Sequence, residues 1–493
     1  MNPFLRIAPE DNVAVALRDL SAGETVTVGA LSRTIREDIP RGHKFALEPI
    51  AAGAPVRKYG NPIGAAKEAI PAGAHIHTHN LRTLLDQELE YRYDPVQPER
   101  LSEPEQTFQG FLRADGRAGI RNELWILPTV GCVNSIAAAL ARCAESFRKG
   151  SVDTIASFPH PYGCSQMGDD QENTRRILAA LASHPNAGGV LILGLGCENS
   201  GIEVLKEYLG DYDAERVRFL RCQDVEDEME EGERILRELM EVASVQERVP
   251  VGVSKLVVGL KCGGSDGFSG ITANPLVGRF SDRLIAQGGT AILTEVPEMF
   301  GAETLLMNRC ATRELFDKTV SLINGFKRYF LEHGQTVYEN PSPGNKQGGI
   351  STLEDKSLGC TQKSGRSPVE GVLAYGEQVR GTGLQLLEAP GNDLIAATAL
   401  AASGAQVVLF TTGRGTPFAC PVPTVKIASN SVLAAHKRGW IDFNAGALLE
   451  GTDMDTLTEK LLDEVLEIAS GKPVKSEETG ARDMAIWKSG VTL

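Results

Sequence analysis

The sequence predicts an α/β protein in which a small all-β N-terminal domain precedes a large α/β body with mostly parallel sheets. Three observations lead there. A tight-turn signal recurs through the first eighty residues, short apolar runs alternate with amphipathic stretches from about residue 108, and a polar, proline-containing segment separates the two regimes. At 493 residues with 42% apolar composition, the chain exceeds one ordinary core and implies two or three packed domains.

In order along the chain, the turn signal appears as LSAG at 20–23, IPRG at 39–42, IAAG at 50–53 and IPAG at 70–73, each followed by an apolar or alternating stretch. These turns define an all-β domain over residues 1–83. Its last strand is expected to run into HIHTHN at 75–80, where period two places His75, His77 and His79 on one face. Residues 84–107 read as an extended linker. A first α/β domain follows over 108–248, with strands at 123–130, 153–158, 189–195 and 217–221 and helices at 135–148 and 228–245. The VPVG stretch at 249–252 marks a second boundary, and a second α/β domain occupies 249–493. Its expected strands lie at 255–260 and near 290–295, 371–375, 384–388, 406–411 and 424–428, with helices near 311–334, 392–403 and 455–470. Residues 340–368, rich in Gly, Pro, Ser and Lys, read as a long functional loop.

The net charge of −14 disfavours nucleic acid and acidic membrane surfaces as partners, so an anionic ligand needs local basic groups. No apolar run approaches the roughly 18–20 residues of a membrane span, and the first residues lack a signal peptide's pattern. The expected location is the cytoplasm, where nine cysteines imply reduced thiols instead of a disulfide framework.

The cysteines carry the chemical signal. Cys132, Cys164, Cys197 and Cys262 each stand beside a glycine just after a predicted strand, and Cys360 lies in LGCT within the long loop. Ligands of an open α/β sheet bind beyond the carboxyl ends of its strands, so these thiols are candidates for one shared metal site. Cys143, Cys222 and Cys310 fall inside predicted elements and read as core filler. His77 and His79 have a spacing at which imidazoles share a metal or act as an acid and base. Arg113, Arg117 and Arg121, in the GFLRADGRAGIRN stretch, form a candidate clamp for a carboxylate. KCGGSDGFSG at 261–270 lacks the Walker spacing and reads as a loop that closes around a small ligand, with Ser265 and Asp266 as polar contacts.

Taken in order, HIHTHN, GFLRADGRAGIRN, LPTVGCVN, HPYGCSQMGDD, GLGCEN, LKCGGSDGFSGITANP, TEVPEMFGAE, LGCTQKSG and IWKSGVTL resemble the altronate/galactarate dehydratase family, over roughly residues 11–493. VGCVN and HPYGC place the chain nearer the altronate branch. The resemblance implies a β-clip (SAF-like) N-terminal domain, dehydration of an aldonic or aldaric acid to its 2-keto-3-deoxy product, and dependence on Fe2+, with Mn2+ as an alternative ion. His75 departs from the family pattern and is left out of the expected site.

That chemistry assigns His77, His79 and Asp266 to catalysis and Arg113, Arg117, Arg121 and Ser265 to substrate binding. The metal falls to His77, His79, Cys132, Cys164, Cys197 and Cys262, and four thiols also suffice for an iron-sulfur cluster. The expected partner is a small sugar acid, with no nucleic acid or membrane, and the oligomeric state is open, a homo-oligomer included. Other readings are a sulfo-lyase acting on sulfolactate, which in that relative is split into two subunits, and a non-catalytic sugar-acid-binding protein. A nucleotide-dependent oxidoreductase is set aside because TVGCVN stands where a Gly-x-Gly-x-x-Gly turn would be required.

Overall fold

The computed structural model describes residues 2–85, 90–98, 100–338 and 340–490. Parts of the expected linker and the last three residues of IWKSGVTL lie outside this set.

The four repeated turns explain themselves in pairs. Gly23, Gly42, Gly53 and Gly73 each end a turn at φ between 78° and 85°, a left-handed conformation that a Cβ disfavours. Leu20 bridges Ile39, and Ile50 bridges Ile70, so the repeats meet two by two. Around them run an antiparallel sheet ordered Phe4–Leu5, Val13–Ala16, Lys44–Ala46, His75–Ile76 and a second ordered Pro55–Lys58, Asn61–Ala66, Leu81–Arg82.

The expected strand through HIHTHN stops at Ile76. Asn80 ends it: its side chain accepts from the His77 N–H at 3.1 Å and donates to the His75 carbonyl at 2.9 Å, folding residues 77–80 into a turn.

Two parallel sheets follow. The smaller is ordered Ile155–Ser157, Glu123–Pro128, Ala187–Gly194, Val217–Arg221. The larger is ordered Val369–Leu373, Gly383–Leu387, Thr290–Leu293, Val257–Cys262, Val407–Thr412, Thr424–Ala428, Phe443–Asn444. In each, the strand that comes first in sequence lies inside the sheet, so the strand order reverses beside it and opens a crevice at its carboxyl end. Cys132 and Cys262 stand at these two points.

Helices Gly168–Ala182 and Asp393–Ala402 pack between the sheets in a core that includes Trp125, Ile177, Ala396 and Phe410. The starting ends of the sheets abut: Asn186 donates to the Gln406 carbonyl at 2.9 Å, and His184 to that of Ala405 at 3.1 Å. Residues 249–252 are an edge strand, Val249–Gly252, antiparallel to Thr107–Leu112. Pro250 is tolerated there because an edge strand can spare one donor.

Residues 340–368 are not one long loop. They hold the helices Pro343–Gln347 and Leu353–Cys360, started by the side chains of Ser342 and Thr352. No helix among the described residues is long and apolar enough to cross a membrane.

Candidate functional site

Strand Val257–Cys262 delivers Cys262 to the carboxyl edge of the larger sheet, and the neighbouring strand Thr290–Leu293 leads into a turn carrying Glu295 and Glu298. Helix Leu353–Cys360 brings Cys360 to the same point. The Cys262 thiol lies 3.0 Å from a Glu298 carboxylate oxygen and 3.4 Å from the Cys360 sulfur. These three side chains, all buried, are the one group among the described residues whose ligand atoms all lie within 4.8 Å of one another.

Three buried lysines surround it. Lys356 pairs with Glu298 at 2.7 Å, Lys261 with Glu295 and, at 2.9 Å, with Asp393, and Lys363 lies 3.7 Å from Glu295. Burial alone would raise the Glu298 carboxyl, but the Lys356, Lys261 and Lys363 ammonium groups outweigh it and hold it well below the usual carboxylate range. Cys360 is pushed well above an ordinary thiol by its contact with Cys262, then by burial.

Two sulfurs and one carboxylate fit a divalent transition metal such as iron or zinc far better than magnesium. Exchanging two thiol protons for one dication leaves the net charge among the lysines unchanged, so the pocket can accept such an ion without a new electrostatic penalty.

Across the next turn lies an imidazole cluster. His43 and His75 are 3.0 Å apart through Nδ1 and Nε2, and the His43, His75 and His77 ring centroids are separated by 5.1–5.6 Å. His43 Nε2 reaches the Gln347 carbonyl at 3.1 Å and His77 Nε2 the Lys346 carbonyl at 2.9 Å. A carbonyl only accepts, so both Nε2 atoms carry the proton and both Nδ1 atoms present lone pairs. Burial, then the nearby Lys44, depresses His77 to about 4; burial, then His43, depresses His75 to about 3.

The turn at residues 342–349 joins the two clusters, because Asn345 donates to the Ser265 carbonyl at 2.8 Å one residue before the Lys346 contact. The N-terminal strands are locked onto this turn. Gly267 donates to the Gly348 carbonyl at 2.7 Å, and a Cβ on Gly267 would fall 1.9 Å from the Gly42 carbonyl oxygen. Asp355, on the Cys360 helix, is buried between Lys44 and Lys58 at 2.9 and 3.0 Å.

Of the expected metal ligands, the structure brings only Cys262 into the converging group. Cys132, Cys164 and Cys197 are exposed at the edge of the smaller sheet. His77 has partners on both ring nitrogens, with Thr78 at 3.1 Å on Nδ1, and His79 is exposed. His75, left out of the expected site, belongs to the imidazole cluster, as does His43.

The three arginines of the expected clamp stand at the starting edge of the smaller sheet, where each binds neighbouring groups of the fold. Arg113 binds the Pro185 and Arg121 carbonyls at 2.8 and 3.0 Å, Arg121 is paired with Glu477 at 2.8 Å, and Arg117 is paired with Asp115 at 2.7 Å. Asp266 has one carboxylate oxygen filled by Phe268 N–H, by the N–H and hydroxyl of Ser269 and by the Ser429 hydroxyl, so it orders its turn. Ser265 lies in the crevice with a buried hydroxyl that has no hydrogen-bond partner among the described residues.

Glu298, Lys356 and Lys363 were not anticipated. Their only sequence signal was charge inside otherwise apolar or glycine-rich stretches, TEVPEMFGAE and LEDKSLGCTQKSG.

Family profiles match almost the whole chain: the altronate/galactarate dehydratase SAF domain over residues 2–84, the D-galactarate dehydratase/altronate hydrolase second domain over 110–244, and the D-galactarate/altronate dehydratase C-terminal region over 253–492. An altronate dehydratase of Bacillus subtilis (strain 168) is 55% identical, with 100% of both chains covered. One of Escherichia coli (strain K12) is 54% identical over 99% of this chain and 100% of its own. The galactarate dehydratase (L-threo-forming) of Escherichia coli (strain K12) is 34% identical over 95% of this chain and 93% of its own. On profiles that together span the fold and on identity that runs from end to end, the chain belongs to the altronate/galactarate dehydratase family.

Proposed function

We propose that this protein is a hydro-lyase that removes water from a sugar acid, D-altronate or a close aldonic or aldaric relative, to give the 2-keto-3-deoxy acid. The observation that carries the reading is the buried Cys262, Glu298 and Cys360 group at the reversal point of the larger sheet, together with the end-to-end similarity to altronate dehydratases. A divalent metal, Fe2+ by the donor set and the family, would be held by these three residues and supply Lewis-acid stabilisation of charge on the substrate carboxylate and adjacent hydroxyl.

Dehydration takes a proton from the carbon beside the carboxylate and expels hydroxide from the next carbon. His77 suits the base: it is neutral at physiological pH, and with its Nε2–H on the Lys346 carbonyl the proton is taken at Nδ1 once the exposed Thr78 hydroxyl, 3.1 Å away, yields that position. His43 and His75, linked Nδ1 to Nε2, take the role of proton exchange on the leaving group's side, a reading supported by that contact. The role expected of Asp266 passes to this cluster. Ser265 contributes a hydroxyl to the substrate. Arg414, exposed on the turn after strand Val407–Thr412 and 3.2 Å from the Gly344 carbonyl, takes the carboxylate-binding role expected of Arg113, Arg117 and Arg121.

The test is anaerobic purification, metal analysis and an assay for 2-keto-3-deoxy acid from D-altronate and from galactarate, with and without ferrous iron. Iron-dependent product from either acid, lost in Cys360→Ser and Glu298→Gln, is the expected outcome. A folded, iron-loaded sample inert toward both acids overturns the reading.

A further inference from the structure

The smaller sheet carries a second cysteine constellation that the proposed reaction does not use. Cys132, Cys164 and Cys197 follow the adjacent strands Glu123–Pro128, Ile155–Ser157 and Ala187–Gly194, and all three thiols are free and exposed. Each is preceded by glycine, and the glycines let the three turns interlock. Gly131 donates to the Tyr162 carbonyl at 2.9 Å, and Ser200 donates to the Gly163 carbonyl at 3.2 Å. A Cβ on Gly163 would fall 2.0 Å from the Thr129 carbonyl oxygen. The Glu198 carboxylate ties the Cys197 turn to the Thr129 hydroxyl at 2.5 Å.

Three further features point to an anionic occupant. The helices that start just after these turns, Asn134–Glu145, Gly168–Ala182 and Ile202–Leu209, all begin with no side chain capping them, whereas Asp227, Thr352, Asn392 and Asp453 cap helices elsewhere. Three open N-termini around one crevice favour negative charge there. Gln166 and Ser200, 5% and 0% exposed, stand on two of these turns, each with a buried polar atom that has no partner among the described residues. The crevice also lies where the strand order reverses.

We infer that Cys132, Cys164 and Cys197 form a second metal site that holds an iron-sulfur cluster through three thiolates, with one iron left open to an oxygen ligand. A single ion held by all three is disfavoured, because these thiols do not all lie within 4.8 Å of one another; a cluster holds its thiolates farther apart than one ion can. The site is independent of the role given to Cys262.

The full chain is purified anaerobically or reconstituted with ferrous iron and sulfide, then examined for iron, acid-labile sulfide, thiolate-to-iron absorption and Mössbauer or EPR signature. The wild type is expected to bind iron with matching sulfide and to show the chromophore. Cys132→Ser, Cys164→Ser and Cys197→Ser are each expected to lose most of it. Cys143→Ser and Cys262→Ser are expected to keep it, which separates this site from the one proposed for catalysis. Circular dichroism and melting establish that each variant is folded; exposed serine-for-cysteine changes are expected to leave both unchanged. Iron bound without sulfide, zinc bound in its place, or a chromophore that survives the triple serine variant overturns the inference.

Discussion

Asp355→Asn tests whether the N-terminal strands and the Cys360 helix form one electrostatic unit. The Asp355 carboxylate is buried between two ammonium groups at 2.9 and 3.0 Å and also accepts from the Ser351 N–H at 3.1 Å. At an effective dielectric of about 20, each ammonium contact is worth roughly 6 kcal/mol of gross attraction, most of it spent on desolvating the charges. Removing the anion alone strands Lys44 and Lys58 without a counter-charge, and leaving a buried charge unpaired destabilises by about 3–5 kcal/mol. For a cooperative unit of 493 residues that corresponds to a fall in melting temperature on the order of 3–5 °C. The assay is thermal unfolding followed by circular dichroism, with limited proteolysis to detect release of the N-terminal strands. Asp317→Asn, which removes an exposed partner of Arg313, serves as the control and is expected to change little. Melting of Asp355→Asn within a degree or two of the wild type, with the N-terminal strands still protected, would refute the coupling. The same logic gives an acid limb. Burial opposes the charge, but Lys44 and Lys58 hold Asp355 well below 3.8, so its contribution is complete above about that pH and is lost as pH falls further.

Cys360→Ser or Glu298→Gln should each weaken metal binding by at least 10–100-fold, on the order of a lost supporting ligand contact, measured by titration against a competing chelator. Arg414→Ala should raise KM by about 10–100-fold, the loss of one charge-assisted hydrogen bond, while Arg117→Ala leaves KM where it was; the opposite pattern in steady-state kinetics restores the arginine clamp. Gly267→Ala should displace the N-terminal strands, because its methyl group would collide with the Gly42 carbonyl, and hydrogen exchange over residues 42–46 reports it. Since His75 and His77 are depressed to about 3 and 4 from 6.5, their contribution to stability is complete above about pH 6.5 and declines as pH falls toward those values. Denaturant midpoints measured across that range are expected to fall with acid, and to fall less in the His75→Gln/His77→Gln double variant.

Much of the parallel framework was legible because its strands are short apolar runs, and Gly-Cys turns marked the carboxyl ends of three of them. The helix Leu353–Cys360 was not legible for a physical reason. All eight of its residues are buried, including Glu354, Asp355 and Lys356, so it has no apolar stripe for periodicity to detect. Its charged residues look solvated in sequence and are satisfied by partners in other elements, Asp355 by Lys44 some 300 residues away and Lys356 by Glu298. Glu298 was hidden in the same way, because its meaning depends on Cys360 and Lys356. A dense run of guanidinium groups suggests a ligand in sequence; in the fold Arg113, Arg117 and Arg121 bind carbonyls and carboxylates at the rim of a sheet, contacts that only the tertiary structure reveals.

The ladder between Thr107–Leu112 and Val249–Gly252 bears on how the chain assembles. Everything between these strands leaves and returns at one place, so the ladder closes only after that stretch has drawn its own ends together. Closing so long a loop of unfolded chain is slow and entropically unfavourable, whereas a folded sheet presents its two ends already side by side. The four-stranded sheet is therefore expected to form first and act as a template, with the larger sheet, whose residues all follow the ladder, completing afterward.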